Sequence, residues 1–205
     1  MGKKLRLLLI ASGCFLFLGF AILMFTSMSY DKSNPRNRPN SYFSELSVEI
    51  NKPIEYVYNF IKYEIPNIYT ETSSMHEQFN IINADGLTEG AEVECIEGDN
   101  EDVVHHRYIV KKDIENVLIQ MESEPSIIHD KETNKQIGKC NCYCYFDFVA
   151  LDNNRTMVKQ TVVTDMLNPF YKLIVDVMGL MSGGKDLWND HFQEELENLK
   201  LHIEK

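Results

Sequence analysis

The segment from Leu46 to Ile61, LSVEINKPIEYVYNFI, changes its periodicity partway along. From Leu46 to Ile50 apolar and polar side chains alternate, as in a strand with one face on a core. From Ile54 onward the apolar residues Ile54, Val57, Tyr58 and Ile61 recur at i, i+3, i+4 and i+7, one stripe of an amphipathic helix. Asn51 is expected to cap that helix, with Pro53 in its first turn. Both elements need a larger apolar partner, so the segment opens an α+β domain.

The rest of the chain supplies the partner. A short second helix or irregular piece is expected around Ile65 to Thr72. Strands are expected near 76–84, 91–98, 102–113, 116–123, 138–151 and 155–166, divided by turn sequences such as ADG, EGDN and LDNN. A helix closes the chain from about Asn168 to Ile203, where Trp188, Phe192, Leu196, Leu199 and Ile203 step along one face and SGG at 182–184 offers a break. A curved antiparallel sheet of about seven strands, its concave face wrapped around a long C-terminal helix, buries the apolar surface of every element in that order.

On these residues the chain resembles a known superfamily. SVEINKPIEYVYNFI (47–61) is similar to the opening, and EELENLKLHIE (194–204) to the closing helix, of SRPBCC helix-grip proteins. That superfamily includes START lipid-transfer domains, the birch-pollen allergen type and polyketide cyclases. GLTEGAEVEC and CYCYFDFVALDNNRTMVKQTV resemble its strand-turn-strand segments. The resemblance covers roughly 47–205. It implies a cavity between sheet and terminal helix that takes an apolar or amphipathic small molecule or lipid, and it implies no universal catalytic residue.

GKCNCYCYFDF (138–148) places Cys140, Cys142 and Cys144 at alternate positions, followed in phase by Phe146 and Phe148. Same-face neighbours on a strand lie ~6.7 Å apart, whereas a disulfide needs Cβ atoms ~3.5–4.5 Å apart, so adjacent thiols should not pair. Cys95 shares the phase of Ala91 and Val93 and also looks inward, but the family's strand order separates it from the trio. A zinc site on Cys142, Cys144 and His106, or a thiol-based redox sensor, is the sharper alternative. A straight C-x-C-x-C is no zinc knuckle, however, and no metal or cofactor is expected. The trio and the two phenylalanines are expected to line the interior, with Asn141, Tyr143, Tyr145 and Asp147 facing out.

The same alternation points His106, Tyr108, Gln160, Val162 and Thr164 inward, with Val117, Ile119 and Met121 as apolar lining. The greasy stretch Met166 to Met181 supplies Met178 as a further cavity residue. It reads either as the first half of the terminal helix or as a lid hinged at Gly183 and Gly184. There is no G-x-S-x-G, H-E-x-x-H, P-loop or G-x-G-x-x-G. A cyclase- or hydratase-like enzyme using His106 and Tyr108 is the alternative to a noncatalytic binding module. Glu97 and Asp102 neighbour turns and are expected to be solvated.

Ahead of the domain, residues 7–25 (LLLIASGCFLFLGFAILMF) carry no charge over about the ~20 residues a membrane helix needs. The run exceeds the ~7–15 apolar residues of a signal peptide. Cys14 follows too few apolar residues for a lipoprotein box, and Arg6 stands where a myristoylation motif wants Ser or Thr. The expected organisation is a single-pass anchor over 1–29, a polar linker over 30–45 and the domain over 46–205. Lys3, Lys4 and Arg6 before the span nearly balance Lys32, Arg36 and Arg38 after it, and the short N-terminal tail tilts the domain toward the outer face. Those six basic residues and Asp31 account for all the charge up to residue 38. Of 20 basic and 31 acidic residues, the remainder therefore keeps 14 and 30. So acidic a body repels phosphate backbones, which excludes nucleic acid as a partner.

Overall fold

β-branched and aromatic residues in alternation build most of this chain into one sheet. The computed structural model describes residues 41–123, 125–166 and 184–205, the first five of the last segment by backbone only, together with Leu18 and Gly19. The elements are β1 (Ser41–Ile50), α1 (Ile54–Thr72), β2 (His76–Ile81), β3 (Glu92–Gly98), β4 (Asp102–Ile114), β5 (Leu118–Ser123), β6 (Ser126–Asp130), β7 (Gln136–Asp152), β8 (Arg155–Asp165) and α2 (Gly184–Glu204). All strand pairs are antiparallel, in the order β1-β8-β7-β5-β4-β3-β2, with β6 pairing both β4 and β7. α2 lays Leu196, Leu199 and Ile203 into the main core beside Val57, Ile61 and Ile65 of α1 and Phe146, Phe148 and Val158 of the sheet. This is the helix-grip architecture.

The sheet has eight strands rather than about seven, because SIIHD (126–130) is a strand. β5 and β6 occupy one lane between β4 and β7, β5 ending at Ser123 and β6 starting at Ser126, just past Pro125. Proline has no N–H for a ladder, and side chains bridge the gap in its place. Cys142 N–H donates to Ser123 Oγ at 3.0 Å, Ser123 and Ser126 hydroxyls meet at 2.6 Å, and Ser126 Oγ lies 2.7 Å from His106 Nδ1. All these groups are buried, so the break in the ladder leaves none of them stranded.

Residues 65–72 do not form a separate piece; α1 runs unbroken for 19 residues with Pro66 inside it. Proline removes the hydrogen bond that would reach Lys62 C=O, and Leu87 N–H donates to that carbonyl instead, at 2.9 Å. The loop that repairs the helix thereby buries Leu87 completely. Asn51 is not the cap. Pro53 holds that position, its carbonyl accepting from Tyr56 and Val57 N–H at 3.1 Å, while Asn51 binds Glu204 Oε1 at the end of α2. β1 starts at Ser41, paired with Asp165, so residues 41–45 are strand rather than linker.

Val117 is 52% exposed, not cavity lining. Asn116 before it adopts φ 58°, and the resulting turn carries Val117 outside β5. Tyr143 and Tyr145 point away from the main core, yet both are buried, in a second cluster with Val163 and Leu118. The expected membrane span, residues 7–25, and Met178 with the expected lid lie outside the described residues, apart from Leu18 and Gly19. Among the described residues no helix is long and apolar enough to cross a membrane.

The β3–β4 turn is tight enough to demand a glycine. A Cβ on Gly98 would lie 2.5 Å from Asp102 O and 3.0 Å from Val103 Cα, both backbone atoms. Gly98→Ala is therefore expected to cost about 2 kcal/mol, read as a lower urea midpoint at unchanged m-value.

Candidate functional site

β7 grades in size along its inner face, from Phe148 and Phe146 down to Cys144, Cys142 and Cys140. The aromatic end is filled by α1 and the last turns of α2. The small-side-chain end faces a set of buried polar groups contributed by α1, β2, β3, β4, β8 and α2.

The centre of that set is Glu97 on β3, whose side chain is 17% exposed. It continues the inward phase of Val93 and Cys95, so the expectation that nearness to a turn would solvate it does not hold. Its Oε1 accepts from the Tyr69 hydroxyl and from Cys95 Sγ at 3.2 Å. Its Oε2 lies 3.8 Å from His106 Nε2 and 4.0 Å from His191 Nε2. His76 is its cross-strand partner on β2. Burial alone would raise this carboxyl, but His106, His76, the Tyr69 hydroxyl and His191 outweigh it and hold it at about 2. Burial meanwhile pulls His76 and His191 below the ordinary histidine range. At neutral pH the two rings are therefore neutral, and the Glu97 charge rests on Tyr69, Cys95 and His106.

His106 is the imidazole whose pKa is raised: burial lowers it, and the hydrogen bond and charge of the Cys142 sulfur, with the Glu97 carboxylate, more than offset that. Cys142 N–H donates to Ser123 Oγ, whose hydroxyl meets Ser126 Oγ, and Ser126 Oγ reaches His106 Nδ1, so a continuous chain of polar contacts joins β7 to the ring. The other ring nitrogen, Nε2, faces Glu97. Tyr108 stacks on His106 with centroids 5.1 Å apart, and burial pushes its hydroxyl well above the ordinary range.

A second carboxyl, Glu195 on α2, is buried and accepts from Gln160 Nε2 at 3.0 Å. Burial and the Glu97 charge push it up to about 7. Like His191, it escaped the reading of the terminal helix, which followed Phe192, Leu196, Leu199 and Ile203. The adjacent row His191, Glu195, Leu199 is also buried. Nothing in the sequence singled out His76. Strand alternation would set it opposite Phe79, but a bulge between His76 and Gln78 turns both residues inward.

Of the residues expected in the cavity, His106, Tyr108, Cys142, Cys144, Phe146, Phe148, Gln160, Ile119 and Met121 are all buried. Val162 and Thr164 are partly so, Val162 against the main core. Among the described residues Cys95, Cys140, Cys142 and Cys144 are free, with the sulfurs of Cys140 and Cys142 3.7 Å apart. Burial raises the Cys95 and Cys144 thiols, and contact with Cys142 followed by burial raises Cys140, which keeps these three protonated.

No protein-family model and no curated protein matches the chain. Solved structures do match it. A conserved protein from Geobacillus kaustophilus superposes with a TM-score of 0.54 at 11% identity, covering 79% of this chain and 95% of that one. Ginseng major latex-like protein 151 from Panax ginseng gives 0.52 at 6% identity over 80% and 98%. Zhui aromatase/cyclase from Streptomyces sp. R1128 gives 0.51 at 12% identity over 80% and 94%. At these identities the likeness is one of fold.

Proposed function

We propose that the domain binds an amphipathic small molecule or lipid at the small-side-chain end of the sheet's inner face, and that residues 7–25 hold it at a membrane. The observation that carries this reading is the convergence of Glu97, His106, Gln160 and Glu195 on one end of an otherwise apolar interior. Buried polar groups are costly unless they serve one another or a ligand. Here they sit beside three thiols and a threonine, side chains smaller than the phenylalanines further along β7. Apolar walls with a few convergent polar groups are the usual composition of a small-molecule site. The apolar body would lie along Cys142, Cys144, Val162 and Thr164, with its polar end toward His106, Gln160 and Glu195. The apolar run over 7–25 and the polar stretch after it support a domain tethered at a bilayer, on its outer face by the charge balance.

A second reading rests on Glu195. A carboxyl near neutrality inside a polar pocket suits general acid–base work. Tyr108 and His106 suit it less, since burial locks the proton on the phenol and Ser126 already occupies His106 Nδ1.

The full chain is expected to take up a fluorescent fatty-acid analogue with one site per chain, and native mass spectrometry of the purified protein should show a bound apolar molecule. Cys144→Phe, which puts a large side chain at this end, should weaken uptake at least tenfold. Absence of uptake by the folded wild-type chain would remove the ligand reading.

A further inference from the structure

Two hydrogen-bond chains fix the protonation of two histidines, and both leave a lone pair turned toward one carboxylate. His76 Nδ1 lies 3.0 Å from the Tyr69 carbonyl, which can only accept, so the ring hydrogen is on Nδ1. Thr72 Oγ1, 2.9 Å from the same nitrogen, gives its own hydrogen to that carbonyl and cannot supply one to the ring. His191 Nδ1 lies 2.9 Å from Ser73 Oγ, whose hydrogen goes to Glu194 Oε2 at 2.9 Å. The serine oxygen therefore accepts, and His191 also carries its hydrogen on Nδ1.

Both Nε2 atoms are thus unprotonated acceptors. His76 Nε2 is buried with no hydrogen-bond partner, and His191 Nε2 stands 4.0 Å from Glu97 Oε2. One ligand atom each from His76, Glu97 and His191 lies within 4.8 Å of the other two. The two rings meet edge to face with centroids 5.0 Å apart, and Tyr69 stacks on His76 at 3.8 Å, holding its plane. His76 Nε2, a buried acceptor with no donor, thus sits in a cluster with a carboxylate and a second imidazole, an arrangement that a cation would satisfy.

We propose that His76, Glu97 and His191 form a binding site for one first-row divalent transition cation, with zinc(II) as its simplest occupant. Two imidazoles and a carboxylate are a nitrogen-rich donor set that suits zinc or iron(II) and not calcium or magnesium, which take oxygen. Metal–ligand bonds of ~2.0–2.2 Å place neighbouring ligand atoms roughly 3–3.5 Å apart. The three side chains then need to close by about an ångström or less each, within the reach of small χ adjustments. Tyr69 O, Thr72 and Ser73 act as outer partners that hold each imidazole in the ligating tautomer. His106 stays outside the ligand set as a neighbour of the carboxylate. Three protein ligands leave coordination positions open, as in sites that bind water or a substrate oxygen. The thiols of β7 take no part.

The site needs no organic ligand to form, so the metal test can fail while fatty-acid uptake succeeds, and the reverse. Chelator-stripped full chain is titrated with zinc(II) against a chromophoric chelator, and separately with cobalt(II) while the visible ligand-field bands are recorded. Uptake of one equivalent, with cobalt bands of the intensity of a four- or five-coordinate nitrogen and oxygen site, is the expected result. His76→Ala and His191→Ala should each weaken binding at least 100-fold. Ser73→Ala, which removes the acceptor for His191 Nδ1–H without touching a ligand, should weaken it about tenfold and keeps the test open if the ligand variants do not fold. His202→Ala, at the surface pair with Glu71, should leave affinity unchanged. No stoichiometric uptake by folded wild-type chain, or wild-type affinity in folded His76→Ala or His191→Ala, would overturn the site.

Discussion

Replacing Glu195 with glutamine is expected to stabilise the chelator-treated protein by about 3 kcal/mol at pH 8 and by almost nothing at pH 4.5. The Glu195 carboxyl is buried and faces the Glu97 charge, which together push it up to about 7 from an ordinary 4.5. An acid whose folded pKa lies above its unfolded one binds more protons in the folded state. Stability therefore falls as pH rises from about 4.5 through 7 and stays low above it. Glutamine mimics the protonated acid and keeps an acceptor for Gln160 Nε2, so it removes the alkaline loss without opening a hole. His76 and His191, lowered by burial, act in the opposite direction over part of this range. The measurement is accordingly the difference between variant and wild type in urea midpoints across pH 4.5 to 8. A difference that stays flat with pH would show that Glu195 is ionised and paired throughout.

Glu97→Gln should do the reverse. Its carboxyl is held at about 2, so its contribution is complete above the unfolded value of 4.5 and lost as pH falls toward 2. The variant is expected to lose on the order of 2 kcal/mol at pH 7, the worth of hydrogen bonds to a buried charge, and less than half of that at pH 3. Glutamine keeps the shape but not the charge that the Tyr69 hydroxyl, the Cys95 thiol and His106 attend. Two carboxyls in one interior, displaced in opposite directions, make this pair a sensitive reporter of the polar end of the core. A chelator keeps the readout free of bound metal.

The sheet-around-helix architecture was legible because its signal is local and repeated. Alternation sets the inner face of β7 from Cys140 to Phe148, and the four-residue steps of Leu196, Leu199 and Ile203 set the buried stripe of α2. Neither depends on what the other element does. The same alternation contained Glu97, in phase with Val93 and Cys95, and the weight given to the neighbouring turn hid it. Missing β6 had a similar cause, since Pro125 splits one lane of the sheet into two strands that only their shared neighbours reveal.

What the sequence by itself determined is therefore periodicity: which residues share a face, where the turns fall, and the uncharged run before the domain. Only the tertiary structure decided which polar residues meet. A bulge in β2 reverses the face of His76, the rotation of α2 against β1 and α1 sets His191 and Glu195 inward beside the apolar row, and serines from two strand ends span the gap between His106 and Cys142. Each outcome depends on register and helix rotation, which are fixed by packing across residues far apart in the chain. Periodicity along one strand or helix carries no record of them.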